Sequence, residues 1–346
     1  MENFSEKITW FMPRPPRKFL KRGAGLPRGR EFFACGRDAL RRALKLEKFC
    51  RPRRLWIPEF FCPSVARTLR ADFDVRFFCD LPSEPAPRFE TIGARNGDAV
   101  LIVNFFGLRD AETWSEWLSE HGGVVPIFDH SHAPFSSWAE SETRGYSFAS
   151  LRKTLPLPDG GFLKSESPAK MFLAGGTPAD FAADAASGEL LDSFAGYDAA
   201  EAFYYSGENK LDGRRGISRM SKYSLAVLEN FDAEKAARAT FRNLKIFCEN
   251  LKASKNYTEL NAAFGNLSDP FRAFSPALKF ADMRARDRYH NALYAAGAKP
   301  SIYWGGLGNA VSPRARKESD TTFVIPLDFR HSEDDAFRLA EFVSNL

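Results

Sequence analysis

A chain of 346 residues, 44% hydrophobic and 27% charged, has the composition of a soluble globular protein and room for about two domains. Its net charge is a mild +5, its five cysteines are odd in number and form no CxxC pair, and no run reaches the roughly 20 apolar residues of a membrane span. These features argue against a disulfide scaffold, a zinc finger and a membrane-spanning chain. The start, Met1-Glu-Asn-Phe-Ser-Glu-Lys, lacks a basic region followed by an apolar one, so a reducing, cytoplasmic setting is expected.

Residues 1–30 are rich in proline, glycine and base, and read as an arm packing across another part of the assembly. Arg14, Arg17, Lys18, Lys21, Arg22, Arg28 and Arg30 crowd this arm, and Arg51, Arg53 and Arg54 form a second cluster. No aromatic-interleaved signature accompanies them, so they read as solvated faces, with neither nucleic acid nor membrane as partner. Cys35-Gly36-Arg37-Asp38 then leads into apolar residues at helical spacing, Ala39, Leu40, Ala43, Leu44 and Leu46. A glycine that opens a helix lets a ligand approach free N–H groups, which suit phosphate, although ordinary helix starts look the same.

Leu55–Pro58 reads as a strand, Ser64–Arg70 as a helix with Ser64 near its cap, and Val75–Asp80 as a strand. Ala99–Asn104 is nearly all apolar, as in a strand covered on both faces. Trp114–His121 is helical, and Val124–Phe128 is a further strand despite Pro126. This alternation predicts an α/β fold with a mostly parallel sheet, helices on both faces, and ligands beyond the carboxyl ends of its strands. Those ends carry Asn104 to Gly107 and Asp129 to His132.

Next comes Tyr146-Ser-Phe-Ala-Ser-Leu-Arg-Lys153-Thr-Leu-Pro-Leu-Pro-Asp-Gly-Gly161. Pro156 and Pro158 stiffen the backbone after Lys153, and Gly160 and Gly161 allow a turn. A lysine held this way can be a Schiff-base nucleophile or a solvated loop residue. Asp129 can pair with the ring nitrogen of a pyridine cofactor or close a turn, and His132 can serve a site or be structural. Residues 165–215 carry no arguable chemistry. Gly216–Ser221 precedes one long amphipathic segment, Tyr223–Leu251. Strands at Ser275–Lys279 and Phe323–Leu327, with helices at Ala281–Ala296 and Glu333–Leu346, predict a smaller C-terminal α+β domain. The boundary falls near residue 230, giving a large domain with its arm over 1–230 and a small one over 231–346.

The order of glycine-opened helix, strand-borne Asp129 and loop-borne Lys153 resembles the fold-type I pyridoxal-phosphate enzymes, and most of all the DegT/StrS group of sugar aminotransferases. Cys35-Gly-Arg-Asp-Ala-Leu40 is similar to that group's Gly-Thr-x-Ala-Leu phosphate loop, and Phe128-Asp-His-Ser-His-Ala133 to its Glu-Asp-x-x-Gln/His stretch. Ser147–Gly161 resembles its Ser-Phe-x-x-x-Lys…Gly-Gly segment, and Ser218-Arg-Met-Ser221 its Tyr-Arg-Met-Thr element. The likeness spans roughly residues 30–345.

The resemblance implies pyridoxal 5'-phosphate bound to Lys153, which also shuttles the proton, with Asp129 on the ring nitrogen and His132 near the ring face. Gly36, Arg37 and either Ser147 or Ser150 hold the phosphate. Cys62 occupies the usual place of the aromatic that covers the ring, so its neighbour Phe61 is expected to substitute. Arg37 replaces a small hydroxyl residue, Phe128 a glutamate, and Ile217 an asparagine. A homodimer with shared sites is implied, moving an amino group from an amino acid such as glutamate to a keto sugar, possibly nucleotide-linked. The rivals are another pyridoxal-phosphate reaction, such as dehydration or elimination, and a non-catalytic relative binding a sugar or a partner protein. The retained lysine favours transfer over dehydration, whose enzymes in this group carry histidine there.

Overall fold

The computed structural model describes residues 8, 15–46, 54–165, 206, 216–265 and 268–346. Almost all of the stretch 165–215, most of the first 14 residues, and Arg51 and Arg53 lie outside the described residues.

Seven strands form the central sheet: β1 (Glu31–Phe33), β2 (Arg54–Pro58), β3 (Asp74–Phe78), β4 (Ala99–Val103), β5 (Val125–Asp129), β6 (Tyr146–Ser150) and β7 (Gly161–Ser165). Their spatial order is β1-β7-β6-β5-β4-β2-β3. Strands β3, β2, β4, β5 and β6 pair in parallel, and β7 runs antiparallel to both β6 and β1. This is the mostly parallel sheet expected from the alternation of elements. Three of its strands, β1, β6 and β7, are not evident in the sequence, because three residues are too few to show a period, Tyr146–Ser150 mixes serine with apolar residues, and Gly161–Ser165 has only Phe162 and Leu163 as an apolar run. Pro126 is tolerated because β6 pairs with β5 only from Ile127 onward, so no ladder bond is lost on that side.

Helices α1 (Gly36–Leu46), α2 (Pro63–Leu69), α3 (Glu112–Glu120) and α4 (Ser137–Ser141) join these strands. Alternation along the strands sorts side chains to two faces. Ala99, Leu101, Val103, Ile127, Tyr146 and Phe148 form one core with Leu40, Ala43 and Leu44 of α1. Val100, Ile102 and Phe128 form the other with Trp114 and Trp117 of α3 and Trp138 of α4. Complete burial of Phe128 alone contributes about 1.5–3 kcal/mol. Helix α2 begins one residue earlier than Ser64 suggests: Cys62 takes the cap position without a side-chain bond, and Pro63 opens the first turn.

The single amphipathic segment expected over 223–251 is two helices, α5 (Lys222–Glu229) and α6 (Ala233–Asn250). The break arises because Asp232 turns its side chain to the N–H of Lys235 and caps a new helix. A second sheet, in order β10-β9-β8, joins β8 (Tyr257–Glu259), β9 (Ala277–Phe280) and β10 (Thr322–Val324) in antiparallel fashion. Around it lie α7 (Leu260–Ala263), α8 (Met283–Ala295), α9 (Pro313–Thr321) and α10 (Glu333–Ser344). Residues 15–30 rest on their own chain, with Phe19 packed against Phe231 and Phe329 and Leu20 bridged to Phe231. Among the described residues no helix is long and apolar enough to cross a membrane.

Contacts from α9 bring the C-terminal part over the strand ends. Glu59 accepts from the N–H and Oγ of Ser312 at 3.0 and 2.5 Å, and Glu318 accepts from the N–H and Oγ of Ser83 at 3.1 and 2.8 Å. Ser319 of α9 donates to the carbonyl of Trp304 at 3.1 Å. These bonds set where the turn at Tyr303 and Trp304 stands.

Candidate active site

Lys153 closes a short turn, Leu151–Lys153, at the end of β6. Leu151, Leu155 and Leu157 are buried in one core with Phe162 and Met220, which pins the underside of the loop. Its ends meet where the Leu151 N–H donates to Gly160 and the Gly160 N–H donates to Ala34. Asp159 supplies a further anchor: its carboxylate accepts from the N–H of Ser221 at 2.7 Å, from Ser221 Oγ at 2.6 Å and from Ser224 Oγ. Asp38 accepts from the N–H of Ser218 at 3.0 Å in the same way. Two buried acids thus fasten segment 218–221 beneath the lysine loop and the start of α1. Gly161 is obligatory here, since a Cβ would sit 2.5 Å from the Cys35 carbonyl carbon.

Above this base lies a cavity of about 330 Å³, within the range of small-molecule sites. Asp129, Ser150 and Lys153 line it from the sheet, Gly36 and Arg37 from α1, and Phe61 from the loop before α2. Asp129 is 8% exposed. One of its oxygens accepts from the N–H of Ser131 at 2.9 Å. Burial raises its pKa above the ordinary carboxylate value, opposed chiefly by the charge of Lys153. Arg37 donates from Nη2 to Ser64 Oγ at 3.0 Å. Ser150 takes its place because β6 alternates: Phe148 and Ser150 face the cavity, while Ser147 does not line it and belongs to the opposite side of the strand. Of the two serines left open by the sequence, only Ser150 stands where a ligand could reach it.

His132 lies behind the lysine and outside the lining of this cavity. Its ring stacks between Phe106 and Phe274, with centroids at 5.2 and 4.5 Å. Nδ1 accepts from the N–H of Phe106 at 3.0 Å, so the neutral ring carries its proton on Nε2, 3.4 Å from Lys153 Nζ. Burial, then the charge of Lys153, holds its pKa well below the ordinary 6.5. A neutral ring N–H is thereby aimed at Nζ, a favourable contact when that nitrogen presents a lone pair.

Sequence reasoning missed Arg152, Tyr303 and Trp304, and gave Ser131 no role although it placed it at a strand end; all four line the cavity. Arg152 had a local signal, adjacency to Lys153 within one turn. The aromatic pair had none that reaches across 150 residues of chain. The rings of Tyr303 and Trp304 lie 5.9 and 5.8 Å from Lys153 Nζ, and Trp304 lies 5.9 Å from Phe61. Trp304 adopts φ 57°, a left-handed conformation that is strained for a bulky residue.

No family model matches the chain, and no curated protein matches it. Solved structures do. DesI, determined in the presence of its TDP-sugar product, superposes with a TM-score of 0.65 at 15% identity, covering 100% of this chain and 94% of that one. PseC of Helicobacter pylori, an aminotransferase involved in pseudoaminic acid biosynthesis, gives 0.64 at 11% identity, covering 98% and 99%. A DegT DnrJ EryC1 StrS aminotransferase from Brucella abortus gives 0.62 at 16% identity, covering 91% and 85%. At these identities the likeness is one of fold, and the fold of this chain is that of the DegT/StrS sugar aminotransferases its motifs resemble.

Proposed function

We propose that this chain is a pyridoxal-phosphate-dependent aminotransferase that moves an amino group from an amino acid, such as glutamate, to a keto sugar, possibly nucleotide-linked. The observation that carries the reading is one cavity lined by a lysine, a buried carboxylate and the N-terminus of α1. The residues fit the cofactor's parts: an N–H-rich helix start with Arg37 and Ser150 suits a phosphate, Asp129 suits a protonated ring nitrogen, and Phe61 suits the ring's face. When bound, pyridoxal phosphate supplies an electron sink for charge developing at the amino-bearing carbon.

In this reading Lys153 Nζ takes up and returns the proton at the reacting carbon. Asp129 holds a proton on the ring nitrogen. His132 orients Nζ through its Nε2–H, and Tyr303 and Trp304 exclude water from the lysine. The substrate class is supported by the fold neighbours, sugar aminotransferases by their names. The chain would act as a cytoplasmic homodimer with shared sites, its large domain over 1–230 and its small one over 231–346.

Absorbance and borohydride trapping test the reading. Protein loaded with the cofactor should be yellow, and reduction should fix the cofactor on the peptide containing Lys153. Labelling of another lysine, or none, overturns it. Sedimentation should give about twice the chain mass of 38.9 kDa.

A further inference from the structure

Two arginines from separate elements line the cavity: Arg37 in the first turn of α1, and Arg152, the residue before Lys153. Both lie near the entrance to α1: burial and the charge of Asp38 raise the pKa of the Cys35 thiol there, and the charges of Arg152 and Arg37 partly oppose that rise. Arg37 is carried there by α1 and Arg152 by the lysine turn. Ser150 stands against the same helix start, since a Cβ on Gly36 would lie 3.0 Å from Ser150 Cβ. Asp129 is the one carboxylate among the described lining residues, and Ser131, whose N–H donates to it, in turn accepts from the N–H of Ser150 at 2.9 Å. The described lining thus carries two guanidiniums, one at the start of α1 and one on the lysine turn, against a single carboxylate at the end of β5.

A guanidinium offers a planar fork of donors that matches the oxygens of a phosphate, and two forks balance the two charges of a phosphate monoester. A lone carboxylate would need one. We propose that Arg152 and Arg37 form a two-guanidinium grip on the phosphate of the cofactor, and that Arg152 is the residue that ranks the phosphorylated cofactor over the unphosphorylated one. The proposal rests on the cofactor reading above. Arg152 reaches the site because Leu151 and Leu155 are sunk in the core on either side of it, leaving Arg152 and Lys153 on the cavity side of the turn. One turn thereby serves both the reactive end of the ligand and its anionic handle.

The test compares pyridoxal 5'-phosphate with pyridoxal, which shares the ring and aldehyde but lacks the phosphate. Both are titrated by absorbance into wild-type protein, Arg152→Gln and Arg152→Lys, and inorganic phosphate is titrated as a competitor. Arg152→Gln should weaken the phosphorylated ligand by about tenfold to a hundredfold, weaken the competition by inorganic phosphate in parallel, and leave pyridoxal within about twofold. Arg152→Lys should recover part of the loss, because the charge remains and the fork does not. An equal loss for both ligands would show that Arg152 acts through the ring or the fold, and would overturn the proposal. Unchanged affinity for the phosphorylated ligand would overturn it as well. Should wild-type protein itself fail to bind pyridoxal 5'-phosphate, the cofactor reading fails, and the proposal with it.

Discussion

His130 and His132 follow the same strand two residues apart, and both are buried in neutral form, yet their surroundings differ in kind. His130 packs edge-on against Trp138 at 4.9 Å and near Phe128, and neither of its ring nitrogens has a hydrogen-bond partner among the described residues. Burial pushes its pKa down to about 3. His132 has one nitrogen fixed by the Phe106 N–H and the other aimed at Lys153. A depressed pKa is therefore common to both and marks burial first of all. What distinguishes the candidate site is a directed hydrogen bond and a reactive neighbour. The same division runs through the sheet: Phe128 is sunk among tryptophans, while Asp129, the next residue, lines the cavity.

The largest expected effect is at the cavity. Lys153→Ala should lower turnover by at least about a thousandfold, with an unchanged melting temperature, because the lost group acts on protons and carbonyls. Phe128→Ala on the filled side should do the opposite. It should cost about 3–5 kcal/mol in a denaturant titration and leave the activity per folded molecule intact. Comparable losses of stability from both substitutions would erase the contrast between the two sides.

Asp129→Asn sharpens it further. The proposed electronic role predicts a rate loss of about tenfold to a hundredfold in the amino-donor half-reaction. Stability should move the other way. Because burial raises its pKa in the folded chain, the folded state binds more protons than the unfolded one from about pH 3.8 up to that raised value, and stability falls as pH rises through this window. The amide carries no such cost and can still accept from Ser131. A lowered melting temperature near pH 7 with a normal rate would assign Asp129 to the turn instead.

His130→Phe probes the other histidine. With its folded pKa depressed, the unfolded chain takes up the proton first as pH drops below about 6.5, so wild-type stability is lost on acidification by up to about 1.4 kcal/mol per pH unit from this group. Stability measured from pH 7 to 4 should decline less steeply in the variant, with ligand binding unaffected. His132 and His331, whose pKa values are also lowered, should keep part of the slope. The smallest effect separates the two serines of β6. Ser150→Ala should weaken the phosphorylated ligand by a few-fold to about tenfold, and Ser147→Ala should leave it unchanged.

How much of this was legible in the sequence depended on range. The apolar runs of β4 and β5, the glycine that opens α1, and a lysine followed by Pro156 and Pro158 are local patterns, and the elements these patterns predict are present. So are the residues they carry to one cavity: Gly36, Arg37, Asp129 and Lys153. Phe61 was reached only by adjacency to Cys62. The side of β6 on which each serine falls required the pairing of the strand, which Tyr146–Ser150 does not announce. Trp304 is placed by bonds from α9 to loops more than 200 residues earlier, and its left-handed backbone has no mark in Tyr-Trp-Gly-Gly beyond the turn itself.

One consequence follows from β7 running back beside β6. Lys153 sits in a loop whose ends, Ser150 and Gly161, are paired across a hairpin, so that closing it is a local event of the submicrosecond to microsecond class. Asp129 joins it only after β5 has found β4 and β6 through longer crossovers, which are slower because more chain entropy is lost before contacts form. The folding chain is thus expected to possess its reactive loop before it possesses a pocket to enclose it. Truncating Leu163 of the hairpin should slow refolding, whereas truncating Leu101 of β4 should chiefly hasten unfolding.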